Sequence, residues 1–261
     1  YVLCIPGAYV YFAVLFWGAN IPLTIVDLTG RPAWVKKYKI QHGKNEPVDS
    51  QLFWRLIKTV CFNSLVLNLI FIYPLYKIGE WRGMSFDPED TPAASWFLVE
   101  LVVFAAVQEV MFYYSHRMLH HPSLYKRFHK KHHEWTAPIG LVSIYATPLE
   151  YLVGNSTSVY CGPLLMGSHV TSAWLWYALS FFVTTVHHSG YHLPFTPSPQ
   201  FHDYHHMRFN WNFGTLGILD RIHGTDAQFR KEIHSKRHRF STWPEPMDDI
   251  FPDDRPKEKL R

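Results

Sequence analysis

The chain has 261 residues, 48% hydrophobic, 17% aromatic and 18% charged, enough for one domain with a sizeable core. Its net charge of +4, with 17 histidines counted as neutral, is too small and too scattered to mark a nucleic-acid-binding protein. Cys4, Cys61 and Cys161 stand singly in apolar stretches, which reads as buried thiols and neither as disulfides nor as zinc ligands.

Residues 2–26 are apolar and uncharged, about the length of a bilayer-spanning helix, with Pro6, Asn20 and Pro22 predicting a kink or a re-entrant segment. Residues 56–76 form a second predicted span, with Lys58 near its start. Residues 94–114 form a third, interrupted by Glu100 and Glu109, which must face protein and not lipid. Residues 151–186 are too long for one span, and Gly162, Pro163 and Gly167-Ser168-His169 predict a hairpin that enters and returns. The loop after the first span carries Arg31, Lys36, Lys37, Lys39, Lys44 and Arg55, whereas the next carries Arg82 against Glu80, Asp87, Glu89 and Asp90. The excess of basic residues puts the first loop in the cytosol, and every histidine cluster then falls on the cytosolic side. The tail beyond Asp226 is charged and reads as short helices or extended surface structure. Its Lys257 and Lys259 fit a dilysine retrieval signal of the endoplasmic reticulum and, equally, a plain solvated tail.

Four histidine clusters follow the third span. They are His116/His120, His129/His132/His133, His188/His192 and His202/His205/His206. Their spacings, i, i+4 or i, i+3, i+4, share one face of a helix, so each cluster can aim all its imidazoles at one point. Ten neutral nitrogen ligands suit two metals at about five each, where a structural zinc needs about four. Imidazole binds iron, zinc and copper, and lacks the easily oxidised sulfur of a thiolate. Ligating imidazoles usually donate their second N–H to a carboxylate or carbonyl. Of the nearby acids, Asp203, Glu109, Glu134, Glu150 and Asp220, we assign that site role to Glu109 and Asp203, with salt bridging to Arg117 or Arg221 as the alternative. Tyr113, Trp135, Tyr191 and Tyr204 read as pocket-lining or membrane-interface aromatics. The isolated His121 and His187 are the strongest candidates for additional site histidines.

These motifs resemble the fatty acid hydroxylase / sterol desaturase superfamily of integral membrane enzymes. The likeness spans residues 109–226 and extends past the histidines to His129-Lys-Lys-His-His-Glu-Trp-Thr-Ala-Pro138, Gly190-Tyr-His-Leu-Pro194 and Gly224-Thr-Asp226. It comes nearest to the fatty-acid-hydroxylase-domain-containing proteins and the C4-methylsterol oxidases. The resemblance implies two iron ions, replaceable by zinc in a purified sample, that activate dioxygen to attack an unactivated C–H bond of a sterol-like, terpenoid or fatty-acyl lipid. It also implies electrons from NAD(P)H through a reductase and cytochrome b5. Lys126, Arg127, Lys130 and Lys131 suit either docking of an acidic donor or contact with lipid headgroups. One position departs from the pattern: Thr147 follows Tyr145-Ala146 where the family commonly has histidine.

The sequence therefore predicts an all-α integral membrane protein with about four transmembrane helices and a cytosolic helical cap holding the metals. Its parts are residues 1–108, transmembrane helices and loops; 109–226, the histidine-rich catalytic domain with its hairpin; and 227–261, a cytosolic tail. The expected activity is hydroxylation, extended by further oxidation of the alcohol. Desaturation on the same scaffold and a non-catalytic metal-binding protein are the alternatives.

Overall fold

A computed structural model describes residues 4–253; the two tail lysines fall outside the described residues. The described chain is helical, with one isolated bridge, Lys39 to Tyr191, in place of any sheet. Helix α1 (Cys4–Thr29) keeps Pro22 inside it. Helix α2 (Ser50–Trp81) starts at Asp49, whose carboxylate accepts the Leu52 N–H at 2.7 Å, and relaxes to π geometry over Phe62–Leu67. Helix α3 (Ala94–Leu119) is the third long element. A π turn at Glu150–Ser156 leads into α4 (Thr157–Met166), and α4 reverses at Gly167 into α5 (Val170–His188). Two short helices follow, α6 (Gln200–Arg208) and α7 (Ile218–His223).

Three helices, α1, α2 and α3, are long and apolar enough to cross a membrane. They leave large side chains uncovered, among them Val14, Leu69, Leu98 and Val102. Such faces would be an aggregation hazard in water and are ordinary against lipid. Glu100 and Glu109 are both turned inward, 2% and 3% exposed. The hairpin of α4 and α5 forms as the sequence predicts, and with α1, α2 and α3 it makes the helical body that the sequence leads one to expect. Its polar residues face inward: Ser158, Ser180 and Thr184 of the hairpin, with Asn155 and Ser156 of the π turn before it, line a cavity.

Close packing holds the hairpin. A side-chain carbon at Gly162 would lie 2.9 Å from the Phe104 Cα, so only glycine lets α4 approach α3 this closely. Helix α1 meets α5 through Phe12 against Tyr177 and Phe181. A second apolar cluster of Leu56, Val60, Trp135, Leu141, Val142 and Tyr145 joins α2 to the segment after the second histidine cluster. That cluster sets the floor on which the histidines stand.

Candidate metal centre

The histidines sit at the ends of elements, where a side chain can leave the helix stack. His116 is in the last turn of α3, His120 caps its C-terminal end, and His129 ends a π turn at Tyr125–His129. His132 and His133 open a 3-10 turn at His132–Glu134. His188 is the last residue of α5, and α6 supplies His202, His205 and His206. Nine imidazoles converge in two adjoining groups. One holds His116, His120, His129, His133 and His205; the other holds His132, His188, His202 and His206. Within each group the possible ligand atoms all lie within 4.8 Å of one another, and every member but the half-buried His120 is buried. The groups touch through His133 and His206, whose ring centroids are 4.9 Å apart.

The outer nitrogens are fixed by acceptors. Nδ1–H of His116 donates to the Phe213 carbonyl (2.7 Å), of His132 to Tyr145 (3.2 Å), and of His188 to Thr184 (2.8 Å). His205 donates likewise to Trp211 (2.7 Å) and His206 to Trp135 (3.0 Å), while His129 Nδ1 meets the Glu150 carboxylate at 2.6 Å. A carbonyl cannot donate, so the proton belongs to Nδ1 and each Nε2 presents a lone pair inward. Those lone pairs face one another: His116 and His129 Nε2 atoms are 3.1 Å apart, and His188 and His132 are 3.4 Å apart. Extra protons do not resolve the clash. Burial, and then the neighbouring His116, takes His132 down to about 3, and burial among like rings holds His129, His205 and His206 well below the usual histidine range. A cation between the rings does resolve it. Two imidazoles bound side by side on one ion at about 2.1 Å would stand roughly 3 Å apart. The donor set therefore fits two metal ions, five imidazoles on one and four on the other.

The structure brings nine of the ten sequence-assigned histidines together and places the other assigned residues apart from them. His192 joins neither group: its Nε2 contacts the Arg239 carbonyl at 3.0 Å. Helix α5 stops at His188, and Gly190 takes a left-handed φ of +74° where an added Cβ would lie 2.7 Å from the Pro138 carbonyl. The helical turn assumed between His188 and His192 does not exist. Among the described residues no side-chain hydrogen bond joins Asp203 to a histidine. It accepts from Gln41 Nε2 at 3.0 Å, and burial pushes its carboxyl up to about 7. Glu109 accepts the backbone N–H groups of Thr215, Leu216 and Leu219 at 2.9, 2.7 and 3.0 Å. The acid that does meet a ligating ring is Glu150, 2% exposed and 21 residues along the chain from His129. Thr147 lies outside both groups. Its hydroxyl donates to the Phe128 carbonyl (3.0 Å) and accepts the Glu150 N–H (3.4 Å), bracing the turn between His129 and its acid. Tyr113, Trp135, Tyr191 and Tyr204 are buried at 0–1% exposure, so they are neither interface belts nor cavity walls. His121 caps the turn beyond α3, whereas His187 is in the wall of the cavity beside the metals.

That cavity, about 490 Å³, runs between α3, α4 and α5. Ala105, Phe112, Val159, Trp176, Leu179 and Phe181 give it apolar walls, and His116, His129, His132, His188 and His202 form its end. Its volume falls in the range of roughly 300–1,000 Å³ common for small-molecule sites.

A membrane-type helical protein with paired histidine groups at the end of an apolar cavity is the class that fold and site define. The fatty acid hydroxylase family matches residues 101–225. The chain is 47% identical over 258 residues to fatty acid hydroxylase domain-containing protein 2 of Homo sapiens, covering 97% of this chain and 76% of that protein. It is 34% identical over 238 residues to methylsterol monooxygenase 1 of Rattus norvegicus, covering 85% and 80%. It is 32% identical over 253 residues to methylsterol monooxygenase 2-1 of Arabidopsis thaliana, covering 86% and 89%. No solved structure matches it. The chain belongs to the fatty acid hydroxylase family and is a membrane oxidoreductase of the monooxygenase type.

Proposed function

We propose that this protein hydroxylates an unactivated C–H bond of a sterol-like, terpenoid or fatty-acyl lipid at a di-iron centre, and that it can carry the alcohol further. The observation that carries the reading is the junction of an apolar cavity with two buried imidazole groups. Bound iron would supply dioxygen activation, which all-nitrogen ligation tolerates because no thiolate is present to oxidise. Overall, R–H, dioxygen, two electrons and two protons give R–OH and water. NAD(P)H supplies the electrons through a separate reductase and cytochrome b5.

This chain's own residues do the rest. Five Nδ1–H bonds to carbonyls and the Glu150 contact hold the rings so that their lone pairs need no reorientation to bind metal. Phe112, Trp176 and Phe181 exclude water along the approach and fix which carbon reaches the cavity end. Exposed Lys126, Arg127 and Lys130 lie next to His129 in sequence, which suits docking of an acidic electron donor. Lys131 takes a different part, half-buried over the Tyr145 ring at 5.2 Å. The basic loop after α1 supports an active site on the cytosolic side.

Turnover with the NAD(P)H donor chain under ¹⁸O-labelled dioxygen tests the reading. One labelled oxygen per hydroxylated lipid is expected. An unlabelled product bearing a new C=C bond would replace hydroxylation with desaturation, and a metal-loaded protein without turnover would favour a non-catalytic role.

A further inference from the structure

Glu109 poses a question that the metal centre does not answer. It lies ten residues before the end of α3, about 15 Å along the axis. Helix α3 has 26 residues, about 39 Å at 1.5 Å per residue. The apolar thickness it would cross is about 30 Å. Even with all the excess length projecting at this end, Glu109 sits about 6 Å inside the hydrocarbon. Backbone hydrogen-bonded to Glu109 must be at the same depth. That backbone is the connection between α6 and α7, and non-helical backbone survives at that depth only if its polar groups are satisfied within the protein.

They are satisfied by two carboxylates. Glu109 takes the N–H groups of Thr215, Leu216 and Leu219, and the Thr215 hydroxyl at 3.0 Å. Asp220 takes those of Phe213 at 2.8 Å and Gly214 at 2.6 Å. Helix α7 is then pinned to α3 by His223, stacked on Tyr113 at 5.2 Å and bonded to the Tyr114 hydroxyl at 3.1 Å. The outer face of this segment is largely apolar and uncovered: Leu216, Ile218 and Ile222 are 55%, 56% and 69% exposed, and the exposed Arg221 has its charge matched by Asp226 at 2.8 Å. On α3, the helix to which it is pinned, Val110, Met111 and Met118 are uncovered as well. The inner side, Gly214 and Thr215, is a wall of the cavity, and Leu216 stands at the rim between the two sides. One thickness of chain thus separates the cavity from what lies outside α3.

We propose that residues 214–223 form a re-entrant lip seated in the acyl-chain region of the bilayer, and that the lipid substrate enters the cavity beside it. Lipid chains are the occupant because the uncovered side chains are carried on a segment bonded to a membrane-length helix and held at its depth. The immersion stands by itself; the route rests on the lipid oxidation proposed above.

The test uses the metal-loaded full chain in phosphatidylcholine vesicles, with Cys4, Cys61 and Cys161 replaced and a fluorescent thiol label placed by Ile218→Cys or Ile222→Cys. Labels at Val102→Cys and Lys231→Cys serve as lipid and water references. Quenching of positions 218 and 222 by acyl-brominated lipid, as at 102, with shielding from iodide, is expected. Iodide quenching equal to that at 231 would overturn the lip. Should the cysteine-free chain not fold, photolabelling of the unaltered chain by a membrane-soluble carbene reads the same property: residues 214–223 are labelled if immersed and unlabelled if not. For the route, Ile222→Asp is expected to raise KM for vesicle-borne substrate about tenfold with kcat and metal content unchanged. An unchanged KM would remove the route while leaving the immersion. Absence of turnover in the unaltered enzyme would remove the lipid-oxidation reading and the route together, and the quenching result would still stand.

Discussion

At the scale of single residues, the centre depends on what each imidazole does with its outer nitrogen. Glu150 is the one carboxylate bonded to a ligating ring among the described residues, and its other oxygen, Oε2, is buried without a partner. It is a positioning residue: it fixes the His129 ring and raises its basicity as a ligand. Glu150→Gln keeps the shape and removes the ionisable carboxyl that meets the His129 ring. Metal affinity is expected to fall about 10- to 100-fold in the five-imidazole group, read by titration against a chelator. Asp203→Asn is expected to change that titration little, since Asp203 bonds Gln41 and no ring. Equal losses in both variants would contradict the assignment.

The same comparison shows how far side-chain chemistry was legible in sequence. Nine of the ten expected histidines gather because turns of any helical type return the chain after three or four residues. The π turn at His129 and the 3-10 turn at His132 serve as well as an α-helix. The acids were not legible. Glu109 and Asp203 are near the histidines in sequence, whereas Glu150 is brought to His129 by the fold. An acid amid apolar residues with no basic neighbour was the available signal, and Glu109 and Glu150 share it. Only the three-dimensional path separates the one that holds a loop from the one that holds a ring. The main-chain acceptors at Phe213, Trp211 and Trp135 carry no side-chain signature at all.

At the scale of elements, turn chemistry decides which cluster members reach the metals. Gly190 ends the path of α5 and sends His192 to the Arg239 carbonyl. The residues Ser189-Gly190 inside the third cluster were a helix-stop signal that the histidine spacing overrode. The pair α3 and α4 sets the width of the cavity, and Gly162 sets the pair. Gly162→Ala would force a methyl group against the Phe104 backbone, with an overpacking cost of about 1–3 kcal/mol. A lower midpoint of thermal unfolding and weaker substrate binding are expected. Gly18→Ala in α1, where nothing lies within 4 Å of the added carbon, is the control and is expected to be neutral or stabilising. A similar response from the two variants would show that the α3–α4 contact is not tight.

At the scale of the whole molecule, membrane helices and metal centre were legible for different reasons. Long apolar runs declare themselves by composition, and Gly162, Pro163 and Gly167 mark the hairpin; the cavity its polar residues line is enclosed only by the assembled helices. The buried imidazoles also tie stability to pH. Their folded-state values lie below the unfolded value of about 6.5. The unfolded chain therefore binds more protons, and stability is fully present above pH about 6.5 and falls as pH drops below it. Bound metal acts in the same direction, because protons compete for the same nitrogens. Loss of metal and of thermal stability together between about pH 6.5 and 4 is expected, followed by metal release and melting in one titration. Stability that rose on acidification would contradict neutral, inward-facing lone pairs.

The central claim is that two groups of imidazoles hold two metal ions. Its most direct measurement is the iron content per chain of protein extracted from membranes with oxygen and competing zinc excluded. Two iron atoms per chain are expected. A single iron per chain, or none after iron is offered, would contradict the paired centre.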